Sequence, residues 1–528
     1  MRPLPTGAYA HYLAGQLAGY REDWATAIDE LRAAAAAAPD QPMIAVALAR
    51  VLSRAKRTAE AVDVLAKARA AWPDHGEVYI ASADLLAESA PAEAIADYHR
   101  AIELLPDDER GYLGLEKVLV ARDDGAAAQR VLASLIAHVP GSVDGHYHLA
   151  QRRQAAGDER GAIAELRVVL ERDPDQIDAR VDLARLLRGQ GQLADAIAQT
   201  RSAFDRAGQP LDIAIELFWL LCEADDLQGA IDLLTLLDDD RSDVDALAAV
   251  LSLDIELGRL DEACAVVKRI AGQDSDAGQV ARAEVERATL TLAPSGEPIA
   301  VAIALDVEKS SPRFAAARRI AADALIAAGK PRRALDVLAP ARAAKPDDLE
   351  LAYAAAIATA DAGAPTDAAA LLAGDDIDHR LARARLADHI HDARAALALL
   401  DPIARATPKN AIALNLAGYL LADSRTRLDD AEAYLRAARA LSPGDPAVLD
   451  SWGWLLLARG KTREAIQALD HAQRFAPREP EILVHLATAW AAEQPKTAAE
   501  LLARAAALHP PAELVKRMDD LRAHLVIR

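Results

Sequence analysis

The ionisable side chains that crowd closest in this chain are His379, Asp388, His389, His391 and Asp392. Imidazole and carboxylate are the usual zinc-ligand types, and a metal site needs such groups to converge on one point. On a helix, His389 and His391 stand two positions apart and diverge by about 200°, so one centre is out of their reach. The expectation is a solvated helix end and no metal, and His146 and His148 meet the same objection. HExxH, GxxxxGK[ST], GxSxG and a GxGxxG following a strand are all missing. No cofactor and no catalytic residue is therefore expected. The two cysteines, Cys222 and Cys264, form no CxxC pair or disulfide framework and are expected to pack as small apolar residues.

Another constellation suits binding. Tyr419 follows Gly418 and Trp454 follows Gly453, 35 residues further on. Asn415 and Asp450 each sit one helical turn before a ring, on the same face. Aromatic anchors bury much area at small entropy cost. An Asn side chain can pair with a peptide backbone as donor and acceptor, whereas an ionised Asp only accepts. The quartet is expected to hold an extended or helical partner segment. The competing reading is that the rings merely fill gaps between helices.

The elements that must carry these residues follow from composition and periodicity. The chain has 528 residues, with Asp+Glu 81 against Lys+Arg 60, a formal charge of −21, 52% hydrophobic residues and only 4% aromatics. So much apolar content excludes disorder, and so few rings argue against a β-sandwich. The acidity argues against nucleic-acid binding. No apolar run reaches the ~18 residues of a membrane span, and no targeting segment is visible. The chain reads as cytoplasmic as written, or periplasmic or outer-membrane-attached if a signal was removed before Met1.

Alanines recur at 27, 61, 94, 128, 162, 196, 230 and 263, then at 300, 334, 368, 396, 431, 465 and 498, with most gaps within one residue of 34. Prolines keep the same beat, Pro408 among them. Within a period the pattern is helical: Ile44, Ala45, Leu48, Ala49 and Leu52, then Ala61, Val62, Leu65 and Ala68. Pro-Asp pairs such as Pro39-Asp40, Pro106-Asp107 and Pro346-Asp347 are expected to end one helix and cap the next. Gly157 and Gly258 suit the turns inside a repeat. Each helix pair leaves an apolar face bare, and stacking buries it.

This spacing resembles the tetratricopeptide repeat, most fully at Gly453, Ala465, Leu469, Ala472 and Pro477. Glu116, Phe218 and Leu251 depart from it in place of the usual small residue, and Gly208 stands where proline is expected. The resemblance implies an all-α solenoid, a right-handed superhelix of about fifteen repeats. The expected organisation is an N-terminal arm over 7–272, an irregular stretched repeat over 273–312 with a break at Pro294-Ser295-Gly296, and a C-terminal arm over 313–510. A capping helix over 511–528 should bury Leu514, Met518, Leu521 and Leu525 and turn Lys516, Arg517, Asp519, Asp520 and Arg522 to water.

The resemblance also implies that first helices line an inner groove for protein or peptide partners. In the N-terminal arm that places Arg50, Arg54, Arg110, Lys117, Arg185 and Arg188 inward, a basic strip for acidic segments. The alternative is ordinary solvated helix surface. The uncapped first repeat offers an end for a partner or for self-association. A non-enzymatic interaction scaffold is the leading reading. A second is a cell-envelope assembly or export factor for a secreted protein or polysaccharide machine, since the Leu414–Ile466 stretch is similar to bacterial repeat proteins often carried as lipoproteins. A helical enzyme or metal protein is the third.

Overall fold

The computed structural model describes residues 5–240, 244–293, 295–407 and 409–526; Pro294 and Pro408 lie outside them, as do the last two residues of the capping segment. Among the described residues the chain forms 31 helices, and its only β-pairing is a single bridge between Leu292 and Pro298. Fifteen helix pairs follow one another and a last helix, Ala512–Val526, closes the series. The fold is an all-α solenoid. It divides into two compact units, Met1–Gly208 and Gln209–Arg528.

All fifteen recurring alanines have 0% exposure. They are small because backbone meets backbone there. A Cβ added to Gly453 would stand 3.3 Å from the carbonyl oxygen of Ala465 and 2.6 Å from Leu469 Cγ. In repeat two, Leu48, Ala49 and Leu52 are buried with Ala61, Leu65 and Ala68, as the periodicity predicts, while Ile44 is buried with Ala34 and Ala38 of the preceding repeat. Glu116, one of the irregular positions, is buried too and is met by His148 Nδ1 at 3.2 Å and Arg152 Nε at 3.4 Å from the next repeat.

Two local expectations need correction. The aspartate directly after proline is not the cap. The neighbouring Asp108 and Asp348 accept from the first-turn N–H groups of Arg110 and Leu351, while Asp74 binds Arg100 at 3.0 Å. Proline and the aspartate after it form the centre of a turn closed by Asp108 N–H to Leu105 O and Asp348 N–H to Lys345 O, so the cap position falls one residue later than Asp107 and Asp347. Gly157 and Gly258 do adopt the left-handed conformation, with φ of +81° and +72°. His391 occupies the same turn position at φ +59°, so it stands beyond the helix Ile377–His389, not two positions along it.

The period is interrupted twice, between Ala263 and Ala300 and between Ala368 and Ala396, and both places share one device. In each, the second helix of the pair is cut short, to Ile299–Leu305 and to Pro365–Ala370. Early termination frees carbonyl groups that need donors. Arg318, 8% exposed, reaches back from the following helix to the carbonyls of Ala304, Leu305 and Val307. Arg383 does the same for Leu372 at 2.8 Å and Gly374 at 2.6 Å.

Within the second unit, early repeats touch late ones. His471 Nε2 lies 2.6 Å from the carbonyl oxygen of Cys222, across 249 residues. Arg474 pairs with Asp225 at 2.7 Å, and Arg478 donates to the Ala288 carbonyl at 2.9 Å across 190 residues. Gly444 fits beneath this junction: a Cβ there would meet Trp219 O at 2.6 Å and Glu223 N at 2.9 Å. Cys222 is buried at the contact, and burial pushes its thiol well up. Cys264 is exposed and does not pack as expected, because its helix turns that position outward.

Candidate partner-binding site

The quartet sits on successive first helices of the second unit, Ala411–Asp423 and Pro446–Ala458. Asn415, Tyr419 and Asp450 line one cavity of about 510 Å³ with Glu256, Asp388 and Glu481. An adjoining cavity of about 450 Å³ shares Asp388, Asn415 and Asp445 with the first. Together they form a recess whose wall is crossed by Asn415. The side-chain oxygen of Asn415 is buried and has no hydrogen-bond partner.

The other three members are tied into the protein. Tyr419 donates its hydroxyl to Glu481 Oε1 at 2.6 Å, and burial, followed by the Glu481 charge, pushes the phenol well up. Asp450, 6% exposed, holds His485 Nδ1 at 2.9 Å. Trp454 does not line either cavity. Its ring stacks on His485 with centroids 4.0 Å apart and 20° between planes, and its Nε1 donates to Asp423 at 3.0 Å. His485 is thus held between the Trp454 and Tyr419 rings.

Sequence reading missed His485, although the signal was present. Asn415, Asp450 and His485 are spaced 35 and 35, so they hold one position in three consecutive repeats. Arg517 faces water only in part. Its side chain keeps 32% exposure, while its guanidinium lies 5.3 Å from the Trp454 centroid and binds Asp423 at 3.0 Å. The apolar stripe behaves as expected, with Leu514 and Met518 buried and Leu521 and Leu525 packed against the last repeat.

Carboxylates (Glu256, Asp388, Asp445, Asp450, Glu479 and Glu481) outnumber the guanidiniums of Arg287, Arg385 and Arg478 in the lining of the recess. Burial, then the Asp445 charge, push Glu256 up to about 7. Burial, then Glu481, also push Asp388 up. The remainder of the histidine-rich cluster disperses: His379 binds Asp376 at 2.7 Å, His389 binds Asp361 at 2.7 Å, and Asp392 caps its helix through Ala395 N.

The basic residues of the first unit are placed differently from one another. Arg110 is engaged by Glu77 and Asp108. Arg185 stands 3.8 Å from Asp182. Lys117 is exposed. Arg50 and Arg54 make no hydrogen bond or ion pair among the described residues. They lie beside Leu13, Leu17, Tyr20 and Leu85 in a cavity of about 790 Å³.

Tetratricopeptide-repeat models match residues 12–76, 154–211 and 381–446. In these three stretches the chain matches tetratricopeptide repeats, which generally mediate protein–protein interaction. Over 79 residues, 15% of this chain, it is 43% identical to the TPR repeat-containing protein PA4667 of Pseudomonas aeruginosa, and spans only 13% of that protein's length. Among solved structures it is similar to the APC/C hetero-tetramer Cut9-Hcn1, at 14% identity and a TM-score of 0.33, covering 98% of this chain and 96% of that one. It is also similar to Pseudomonas aeruginosa pilF, at 16% identity and a TM-score of 0.32, covering 38% and 90%. No helix among the described residues is long and apolar enough to cross a membrane.

Proposed function

We propose that the protein is a non-catalytic scaffold whose second unit holds an extended, basic segment of a partner protein in the recess beside Asn415. The observation that carries this reading is the Asn415 side-chain oxygen, buried and unbonded on the wall shared by two cavities. A buried polar atom without a partner is costly, and a passing backbone N–H satisfies it. Glu256, Asp388 and Asp445 around it favour lysine or arginine side chains on the segment. Tyr419 and Asp450 shape the floor, and Trp454 with His485 stiffens it from behind.

A fluorescence-binding screen of lysine-rich, neutral and glutamate-rich extended peptides against the full chain tests this. Lysine-rich peptides should bind best, more tightly at pH 8 than at pH 6 as Glu256 ionises through about 7. Asn415→Ala should weaken them about tenfold at unchanged melting temperature. Equal binding of all three peptide classes, or an Asn415→Ala variant that binds normally, would overturn the reading.

A further inference from the structure

The first unit presents a second surface of different chemistry. Leu13, Leu17 and Tyr20 recur at one-turn spacing on the helix Thr6–Tyr20 and are 47%, 51% and 88% exposed. With Tyr9, also half exposed, they are four of the large apolar side chains that the protein leaves open to water, gathered on one helix. This stripe, the helix Pro42–Arg54 and the helix Gly76–Leu86 wall the cavity of about 790 Å³. On its edge stand Arg50 and Arg54, one helical turn apart and without partners among the described residues. The nearest counter-charge in the groove, Asp84, already accepts the Tyr98 hydroxyl at 2.6 Å.

We propose that this groove docks an amphipathic α-helix of a partner protein, its apolar stripe laid on Leu13, Leu17 and Tyr20 and two carboxylates one turn apart paired with Arg50 and Arg54. The walls select a helix. Leu13, Leu17, Val46, Ala47, Val51 and Leu85 offer no hydrogen-bond partner to the N–H and C=O groups of an extended strand, whereas a helix satisfies its own. The arginine spacing then sets the carboxylate spacing on the partner, at i and i+4. A second copy of this chain fits worse. The helix Thr6–Tyr20 contains no Asp or Glu, so two copies packed face to face would bring four arginines together with no carboxylate from either helix.

The surface belongs to the first unit and shares no residue with the recess at Asn415, and its test does not depend on that reading. The probes are synthetic 16-residue helical peptides with leucines at i, i+3, i+4 and i+7. One carries two Glu four apart on the flank, one carries Gln there, one carries Lys, and one has the same composition scrambled. Binding to the full chain is read by fluorescence anisotropy at low and high salt.

The Glu peptide should bind at least about tenfold more tightly than the Gln peptide, with the advantage shrinking as salt rises. Arg50→Ser/Arg54→Ser should erase the difference between Glu and Gln peptides. Leu17→Glu, at a half-exposed position, should weaken both while leaving the melting temperature unchanged. Several results overturn the proposal: no binding of the Glu peptide below about 100 μM, preference for the Lys peptide, or a double-arginine variant that still discriminates. Self-association abolished by Leu17→Glu, with no peptide response, would assign the face to a second copy instead.

Discussion

His485 Nδ1 lies 2.9 Å from Asp450 Oδ1 and 3.0 Å from Oδ2, and the histidine has no exposed surface. Burial alone pushes the imidazole down. The Asp450 charge and hydrogen bond, with Glu481 behind them, outweigh burial and hold it above its ordinary value. A raised histidine stabilises the fold fully below its unfolded value of about 6.5 and loses that contribution as pH rises through the folded value. The melting temperature should therefore carry a component that falls as pH rises above about 6.5. Asp450→Asn should abolish that component and cost about 3 kcal/mol at pH 6, read by urea titration. A pH profile identical in the two proteins would show that His485 is neutral throughout.

Arg318 offers a second test. Its guanidinium is the donor for three carbonyls freed where the helix Ile299–Leu305 ends. Arg318→Met keeps the stem and removes the donors, and should destabilise the second unit by about 2–4 kcal/mol. Arg383→Met, at the more exposed equivalent in the other short repeat, should cost less. Denaturant unfolding of both variants checks the order.

Two glycines should respond in opposite directions to the same substitution. Gly444→Ala drives a methyl into the Trp219 carbonyl and the Glu223 amide, main-chain atoms with little room to give. A loss of about 1–3 kcal/mol is expected. Gly125 opens the helix Gly125–His138 with nothing within 4 Å of an added Cβ. Gly125→Ala should raise stability by about 0.5–1 kcal/mol through helix propensity. Thermal scans of the pair give the contrast directly.

The final helix should protect the Trp454 ring. Arg517→Ala removes the guanidinium 5.3 Å from the ring and its ion pair with Asp423. We expect increased acrylamide quenching of tryptophan fluorescence and a loss of about 0.5–2 kcal/mol. Deleting 511–528 should go further, baring the apolar face around Leu502 and promoting aggregation. Unchanged quenching in Arg517→Ala would mean that other side chains shield the ring.

Much of this fold is written locally. Alanine at a fixed beat marks buried positions in every repeat, and at Ala27, Ala431 and Ala465 a glycine of the paired helix, Gly15, Gly418 or Gly453, comes close to its carbonyl. Both short repeats were visible as breaks in that beat, though not the arginines that complete them. Equal spacing also brought Asn415 and Asp450 together on paper. The same spacing reaches His485, which reads as an ordinary helix residue until Asp450 is seen buried against it. Arg517 could not be found this way: it comes from a helix outside the period, and an amphipathic pattern assigns arginine to water. Likewise, nothing near Cys222 announces His471, since a contact across 249 residues leaves no local trace.

That contact gives the second unit a mechanical property. A stack of repeats held only by nearest neighbours yields joint by joint, like a coil under load. The links from Cys222 to His471 and from Ala288 to Arg478 act as a latch across the coil. Tension applied at residues 222 and 478 would be borne first by the latch, and the intervening repeats would be spared until it opened. Its release would then pay out the slack of many repeats at once, so the pulling trace should show one tall early event followed by a run of small ones.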